Sequence, residues 1–438
     1  MPQFQVVIVG AGIAGLATAI SLQRKGHNVT VLERHASCQA VGGTVGLGAN
    51  ASRVLIEYGM EEIMTQKNDQ SPTFYRRYNT GDIIGKREAQ DSHRVYGYPH
   101  WAITRYRLQE ALATVAIQNG VNILFNTLVE KVDIDNAQLH LGNGQIMKAD
   151  LIIGADGVRS VVRHEVLGHD VNSKTGISGY TINIPRSTIA SDPELAEFLT
   201  QQNFWLGPSQ VGIGYNATDL NDTFIVCLLA EDSSGEEGEW LKRGDLNLMK
   251  DRYGYFDPRF RKLLLLVHPE DCWLWRLSSM PSLRTWSSDN GRVVSVGDAA
   301  HAILPYTGIG AGLCIEDSAC LAECLERAQT IHDLPRVMKS FEKIRKPRAE
   351  YLIKMGLGLA EINHAPDGPI QQARDERFKN MPIGTTSLDI WDGKHIDDPP
   401  NVPAGHPLMY AYSVGYNVIA HRWKEKRLQL CYDEKQLR

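Results

Sequence analysis

The run QVVIV, from Gln5 to Val9, followed at once by Gly10, Gly12 and Gly15, restricts the fold of this chain more than any other feature. The run is β-branched and apolar on both faces, which suits a central strand of a parallel sheet. Ala14 to Arg24 reads as a helix, and Asn28 to Leu32 as a second short strand ending at Glu33, roughly 20 residues beyond the glycines, where the ribose-binding acid of a βαβ unit belongs. Gly10 permits the tight turn, Gly12 lets the backbone approach a pyrophosphate, and Gly15 lets helix and strand pack closely. The helix N-terminus then offers free N–H groups and positive potential to phosphate. An acid at position 33 fits a free ribose diol better than a 2′-phosphate. The segment predicts an α/β chain with a Rossmann-like parallel sheet that binds a nucleotide.

Composition removes other readings. The 438 residues carry 46 Lys plus Arg against 51 Asp plus Glu, a net charge of −5, so a basic grip on nucleic acid is excluded. Hydrophobic residues are 43% and charged residues 22%, which speaks against disorder. The seven cysteines include no CxxC pair and no Cys/His spacing for a metal, so neither a disulfide framework nor a zinc site is expected, and a reducing, cytoplasmic setting fits. The apolar N-terminus has no Lys or Arg before Arg24, unlike a secretory signal, and no stretch is long and apolar enough to predict a transmembrane helix.

Two later segments carry the argument further. Asp150 to Arg163, DLIIGADGVRSVVR, is an apolar strand ending in Asp156-Gly157. Arg292 to Asp317, RVVSVGDAAHAILPYTGIGAGLCIED, is a strand, a sharp turn at Gly297-Asp298, and then Gly308, Gly310 and Gly312 leading into a helix near Gly312. With the first segment these resemble, in order and separation, the FAD-dependent aromatic hydroxylases (group A flavoprotein monooxygenases), especially the salicylate hydroxylase-like enzymes of fungi and bacteria. The likeness spans about residues 4 to 350.

The resemblance implies bound FAD and a set of cofactor residues: Gly10, Gly12, Gly15 and Glu33 from the first segment, Asp156 beside FAD and the passing nicotinamide, and Asp298 beside the ribityl and pyrophosphate groups. The amides of Gly310, Ala311 and Gly312 would face the pyrimidine edge, where charge gathers on reduction. Arg105 in ITRYRLQEAL matches the arginine of the family's HRxxL segment, with Thr104 in place of the histidine. GGTVGLGANASRVL, Gly42 to Leu55, resembles the family's GAGIQLGPNAxRxL and places Gly46 against the flavin; Thr44 stands where glycine is common and Ala49 where proline is. His301 is implied to pack behind the flavin loop. No second GxGxxG follows a strand, so NAD(P)H is expected as a transient co-substrate, with NADH and NADPH both open. The implied reaction is hydroxylation of an electron-rich aromatic (a phenol, a salicylate or a natural-product intermediate of secondary metabolism) with O2 through a C4a-hydroperoxyflavin. A flavin oxidase or dehydrogenase on the same fold, and a non-catalytic carrier, are the alternatives.

Between the second and third segments, Thr175 to Pro185, Val211 to Asn216 and Phe224 to Ala230 read as strands of a mixed substrate-binding sheet. Alternation puts Tyr180, Ile182, Ile184 and Arg186 on one face of the first, and Val211, Ile213 and Tyr215 on one face of the second. By resemblance to fungal phenol-dearomatising relatives, Arg186 and Tyr215 are the expected catalytic pair anchoring a phenolate. Trp273 and Trp275 read as core tryptophans, and Cys314, Cys320 and Cys324 as small buried hydrophobes. Asp333 to His364 predicts a long helix with Pro335 near its start and a kink at Pro347. The domain expectation is an FAD-binding part from residues 1–170 and 285–365, a substrate sheet from 171–284, and a C-terminal irregular and helical extension, 366–438, with a charged helix from about His421.

Overall fold

The computed structural model describes residues 2–38, 43–64, 71–88, 92–216, 223–232, 242–380, 399–402, 404 and 406–418. Gln5–Val9 is the middle strand of a five-stranded parallel sheet. On one side it pairs with Leu151–Gly154 and then Val293–Ser295, on the other with Asn28–Leu32 and then Asn122–Leu124. Val6 to Val9 are buried, as a strand covered on both faces requires. The helices Ile13–Arg24, Arg105–Gln118 and Gly310–Leu325 pack on this sheet through one apolar cluster holding Ile8, Leu16, Leu112, Ile153 and Leu321.

The second layer is an eight-stranded mixed sheet. Its central four strands are, in spatial order, Lys174–Pro185, Thr223–Glu231, Gln210–Asn216 and Gln202–Gly207. Thr73–Arg77 and Ile83–Arg87, from much earlier in the chain, extend one edge, and Cys272–Ser278 with Lys242–Arg243 the other. One face is sealed by the helices Leu246–Arg252 and Pro258–Leu265, which bury Tyr180, Ile182, Ile184, Trp205, Phe224 and Val226 against Tyr253 and Phe260. The other face turns toward the flavin-type segments.

The long helix Leu334–Asn363 carries Pro335 in its first turn and runs on through Pro347. Beyond it, where the composition reads as irregular chain, Pro369–Lys379 is a helix. Its proline sits at the first helical position, where a missing N–H costs nothing. The tyrosine-rich stretch forms the helix Pro407–Gly415, and the helix expected from His421 lies outside the described residues.

Candidate active site

The three glycine-and-aspartate turns meet at the ends of the parallel strands. Gly10 has φ +102°, and a Cβ there would stand 2.6 Å from the Ala155 carbonyl oxygen; at Gly15 it would stand 1.9 Å from the Gly10 carbonyl oxygen. These two glycines are what lets helix, strand and the Asp156 loop close on one another. The third turn closes on the same point: Gly297, at φ +59°, lies against Ala14 and Cys314, and the Val296 N–H donates to the Gly154 carbonyl at 2.9 Å. Arg163 ties the second and third segments by donating to the Ala299 carbonyl at 3.0 Å.

What the turns enclose suits an anionic dinucleotide. A Cβ at Gly12 would meet nothing within 4 Å, so this position is open toward the approaching ligand rather than filled by protein. The helix behind it has no side-chain cap and no acid in its first turn, leaving its N–H groups and positive potential to a phosphate. Glu33 is buried at the next strand end, accepting from the Ala11 and His35 N–H groups at 2.9 Å each. A carboxylate has lone pairs left over for ribose hydroxyls. The helix Gly310–Leu325 begins two residues before the position read from sequence, so Gly310, Ala311 and Gly312 form its first turn, again with no cap and no acid. Half-buried Asp298 accepts no side-chain hydrogen bond among the described residues. Gly46 lies on the strand Thr44–Leu47, where a Cβ would stand 3.2 Å from His100 Nε2 and 4.0 Å from the Gly308 carbonyl oxygen, and Arg105 opens its helix with its N–H on the Gly43 carbonyl at 3.1 Å. Asp156 also serves its own loop, accepting from Ser160 Oγ at 2.6 Å and from the Val161 and Val162 N–H groups at 2.8 and 3.2 Å, which caps the helix Val161–Leu167.

Behind the flavin-type loop lies a buried charge network that sequence reading missed apart from His301. Asp317 accepts from His301 Nε2 at 2.5 Å, from the Gly297 N–H at 3.0 Å and from Arg345 Nε at 2.8 Å. Glu316 accepts from Arg348 at 2.6 and 2.7 Å and from Asn50 at 2.8 Å, and Arg345 Nη1 lies 2.6 Å away as an ion pair. Burial alone would raise the Asp317 carboxyl, but the charges and hydrogen bonds of His301 and Arg345 prevail and hold it at about 2. Burial likewise opposes a charged His301, and Asp317 outweighs it, so the imidazole pKa is raised. Arg348 also donates to the Tyr412 and Ser413 carbonyls at 3.2 and 2.8 Å, fastening the C-terminal helix to this network. The legible signal is a Glu316-Asp317 pair inside an otherwise apolar helix and two arginines three residues apart on another.

The open face of the eight-stranded sheet lies alongside. Tyr215 is on it, half-buried, with its hydroxyl accepting from the Thr44 N–H at 3.2 Å and 3.2 Å from Cys227 Sγ. Gly43 rests on the same two side chains, so the ribbon that carries Gly46 toward Gly308 also roofs this face. Leu304 and Tyr306 cover its other flank, and Tyr306 meets His364 Nε2 at 2.6 Å. Burial pushes the His364 imidazole down to about 4, leaving it neutral at pH 7. Arg186 is elsewhere. It opens the short helix Arg186–Ala190 and bonds Asn216, which points to the helix-covered side along with Phe224. The expected Arg186–Tyr215 pairing is therefore corrected: Tyr180, Ile182 and Ile184 do share one face and Val211, Ile213 and Tyr215 another, but Arg186 lies past the strand end, and the register puts the two faces on opposite sides of the sheet. The core reading of Trp273 and Trp275 is also corrected: both are half-buried on the open face, Trp273 under Arg243 and Trp275 against the apolar cluster there with Nε1 donating to Thr181 Oγ1 at 3.1 Å. Cys314, Cys320 and Cys324 are buried as expected.

Among the described residues no group of His, Cys, Asp and Glu could hold a metal, and no helix is long and apolar enough to cross a membrane. Residues 3–355 match the family described as FAD binding domain. The chain is 30% identical over 380 residues to the FAD-dependent monooxygenase OpS4 of Beauveria bassiana (strain ARSEF 2860), covering 85% of this chain and 88% of that one. It is 29% identical over 371 residues to hispidin-3-hydroxylase of Neonothopanus nambi, covering 79% and 86%. In fold it is similar to CtdE crystallised with FAD and a substrate, at TM-score 0.80, 20% identity and coverage of 98% and 99%. A salicylate hydroxylase substrate complex superposes at TM-score 0.73, with 21% identity and coverage of 94% and 98%. With the turns, the uncapped helix ends and these likenesses in agreement, the chain belongs to the FAD binding domain family, among its FAD-dependent monooxygenases.

Proposed function

We propose that this protein hydroxylates an electron-rich aromatic ring in the cytoplasm, consuming one NAD(P)H, one proton and one O2 and releasing NAD(P)+, water and the hydroxylated product. FAD supplies the redox chemistry, accepting hydride and activating oxygen. The chain's own residues supply place and environment. Gly12 and the first helix end receive the pyrophosphate, Glu33 the ribose and Asp298 the ribityl chain. Gly310, Ala311 and Gly312 turn a preorganised positive end toward the pyrimidine edge. Arg105 and Asp156 complete the cofactor set, and Gly46 lets the ring lie close. In this reading residues 1–170 and 285–365 hold the cofactor and 171–284 the substrate.

The observation that carries the proposal is the ribbon from Gly43 to Leu47, which rests on Tyr215 and Cys227 of the open sheet face at Gly43 and packs along the helix Gly310–Leu325 at its other end. A ring bound on that face lies next to a flavin held by the turns, under cover from water. The relatives' names, a hispidin-3-hydroxylase among them, support an aromatic natural product as substrate class. The test is to purify the protein, record its flavin absorbance, and follow aromatic-dependent consumption of NAD(P)H and labelled O2. Label appearing in the product supports hydroxylation. Oxygen uptake ending only in peroxide with every aromatic tried argues against it, and flavin reduction by substrate alone without NAD(P)H points to an oxidase.

A further inference from the structure

The strand register lines up one row of side chains across the open face: Tyr75, Phe204, Ile213, Cys227, Thr181 and Trp273, each directly opposite the next on neighbouring strands. Tyr75 stacks on Phe378 at 4.4 Å and Arg243 lies 3.6 Å over Trp273, which closes both ends of the row. Its middle is different. Ile213 and Cys227 sit on central strands of a sheet packed solid on its other side, yet both are only half-buried, as is Tyr215 next to them. A central strand shows that much surface only where a cleft stands above it.

The polar groups in that cleft are few and of one kind. The Tyr215 hydroxyl already accepts the Thr44 N–H, and its own proton has only the Cys227 thiol as acceptor among the described residues. Thr181 accepts from Trp275, and its proton also faces Cys227, at 3.9 Å. Sulfur is a weak acceptor, so two hydroxyl donors are held against a soft partner that a better acceptor would displace. Burial keeps the Tyr215 phenol well above its ordinary pKa, so its proton stays on. The register places no arginine or lysine of the central four strands on this face. Arg77, Arg87 and Arg243 lie on the outer strands, Arg77 held by Asp367 and Asp375, Arg87 on Thr73, and Arg243 over Trp273. A carboxylate brought here would lose its hydration and meet no cation from the sheet's central strands in return.

We propose that this row is the recognition floor for a planar, uncharged substrate, whose neutral carbonyl oxygen is held by the half-buried Tyr215 hydroxyl beside Cys227, with the buried Thr181 hydroxyl behind the thiol as a second donor that Cys227 must turn aside to release. The inference rests on the reading of this face as the substrate side, and it predicts discrimination against ring carboxylates.

Cys227 is its own reporter. FAD-loaded protein is treated with N-ethylmaleimide at pH 8, with either 4-methoxyacetophenone or 4-methoxybenzoate present, and modification of the Cys227 peptide is followed by mass spectrometry. The two probes share a ring and differ in ketone against carboxylate. Cys227 is expected to react in ligand-free protein, and the ketone to slow it at least tenfold at a concentration where the carboxylate changes it less than twofold. Tyr215→Phe and Thr181→Val should each raise the ketone concentration needed by about tenfold. An unreactive Cys227, protection by neither probe, equal or better protection by the carboxylate, or unaltered protection in both variants overturns the proposal. Flavin absorbance is read on the same samples. A chain that takes up no flavin refutes the cofactor reading, while the labelling contrast, repeated on that chain, still decides the floor.

Discussion

Gly12 and Gly15 stand one helical turn apart and differ in what surrounds them. Gly15 faces protein and Gly12 faces open space. Gly15→Ala should therefore destabilise the fold by about 1–3 kcal/mol through overpacking and lower FAD occupancy with it. Gly12→Ala should change urea stability by less than about 1 kcal/mol, the scale of an N-cap effect, and still lose most of its flavin, measured as absorbance per protein. If both variants lose stability equally, the open approach at Gly12 is wrong. Asp317 adds a pH dependence of definite sign. Its folded pKa is depressed from 3.8 to about 2, so its contribution is present above about pH 4 and is lost as pH falls toward 2. That contribution is on the order of 2 kcal/mol. The urea midpoint of the native protein should fall over that interval, and Asp317→Asn, less stable at neutral pH, should show a shallower fall.

At the scale of elements, the helix Gly310–Leu325 is held by charge as much as by packing. Its Glu316 and Asp317 are completed by Arg345 and Arg348 from the helix Leu334–Asn363. Removing one partner of a buried pair leaves an uncompensated charge, so Arg348→Met should cost about 3–5 kcal/mol. It should also free the Tyr412 and Ser413 carbonyls, exposing the C-terminal helix to limited proteolysis before the rest of the chain. Sequence showed the elements better than their mutual placement. The strand-glycine-helix-acid series at residues 5–33 is local and each residue has a steric reason, so it was readable. The strands Lys174–Pro185, Gln210–Asn216 and Thr223–Glu231 were readable for the same cause, a period of two along one strand. Which face of one strand joins which face of the next depends on register, a non-local choice, so the Arg186–Tyr215 pairing implied by resemblance is not testable along either strand alone. The Glu316–Arg348 pair was hidden because its members are far apart in sequence and charged residues ordinarily signal surface.

For the whole molecule, the cofactor is expected to act as a stabilising ligand. Free FAD at about 100 times its Kd should add roughly 2.7 kcal/mol, seen as a melting temperature that climbs with FAD concentration in the native protein and stays flat in Gly12→Ala. No dependence in the native protein would count against the nucleotide site. The reach of Arg348 to Tyr412 and Ser413 also has a bearing on how the protein is made. When the first 330 residues have been synthesised, every glycine of the pyrophosphate cradle is in the chain, but the guanidiniums of Arg345 and Arg348 that let Glu316 and Asp317 go under cover are still to come. The growing chain thus has the cradle before it has the charges that complete the network behind it, so loading of the yellow cofactor is expected to follow synthesis of the helix that carries Arg345 and Arg348.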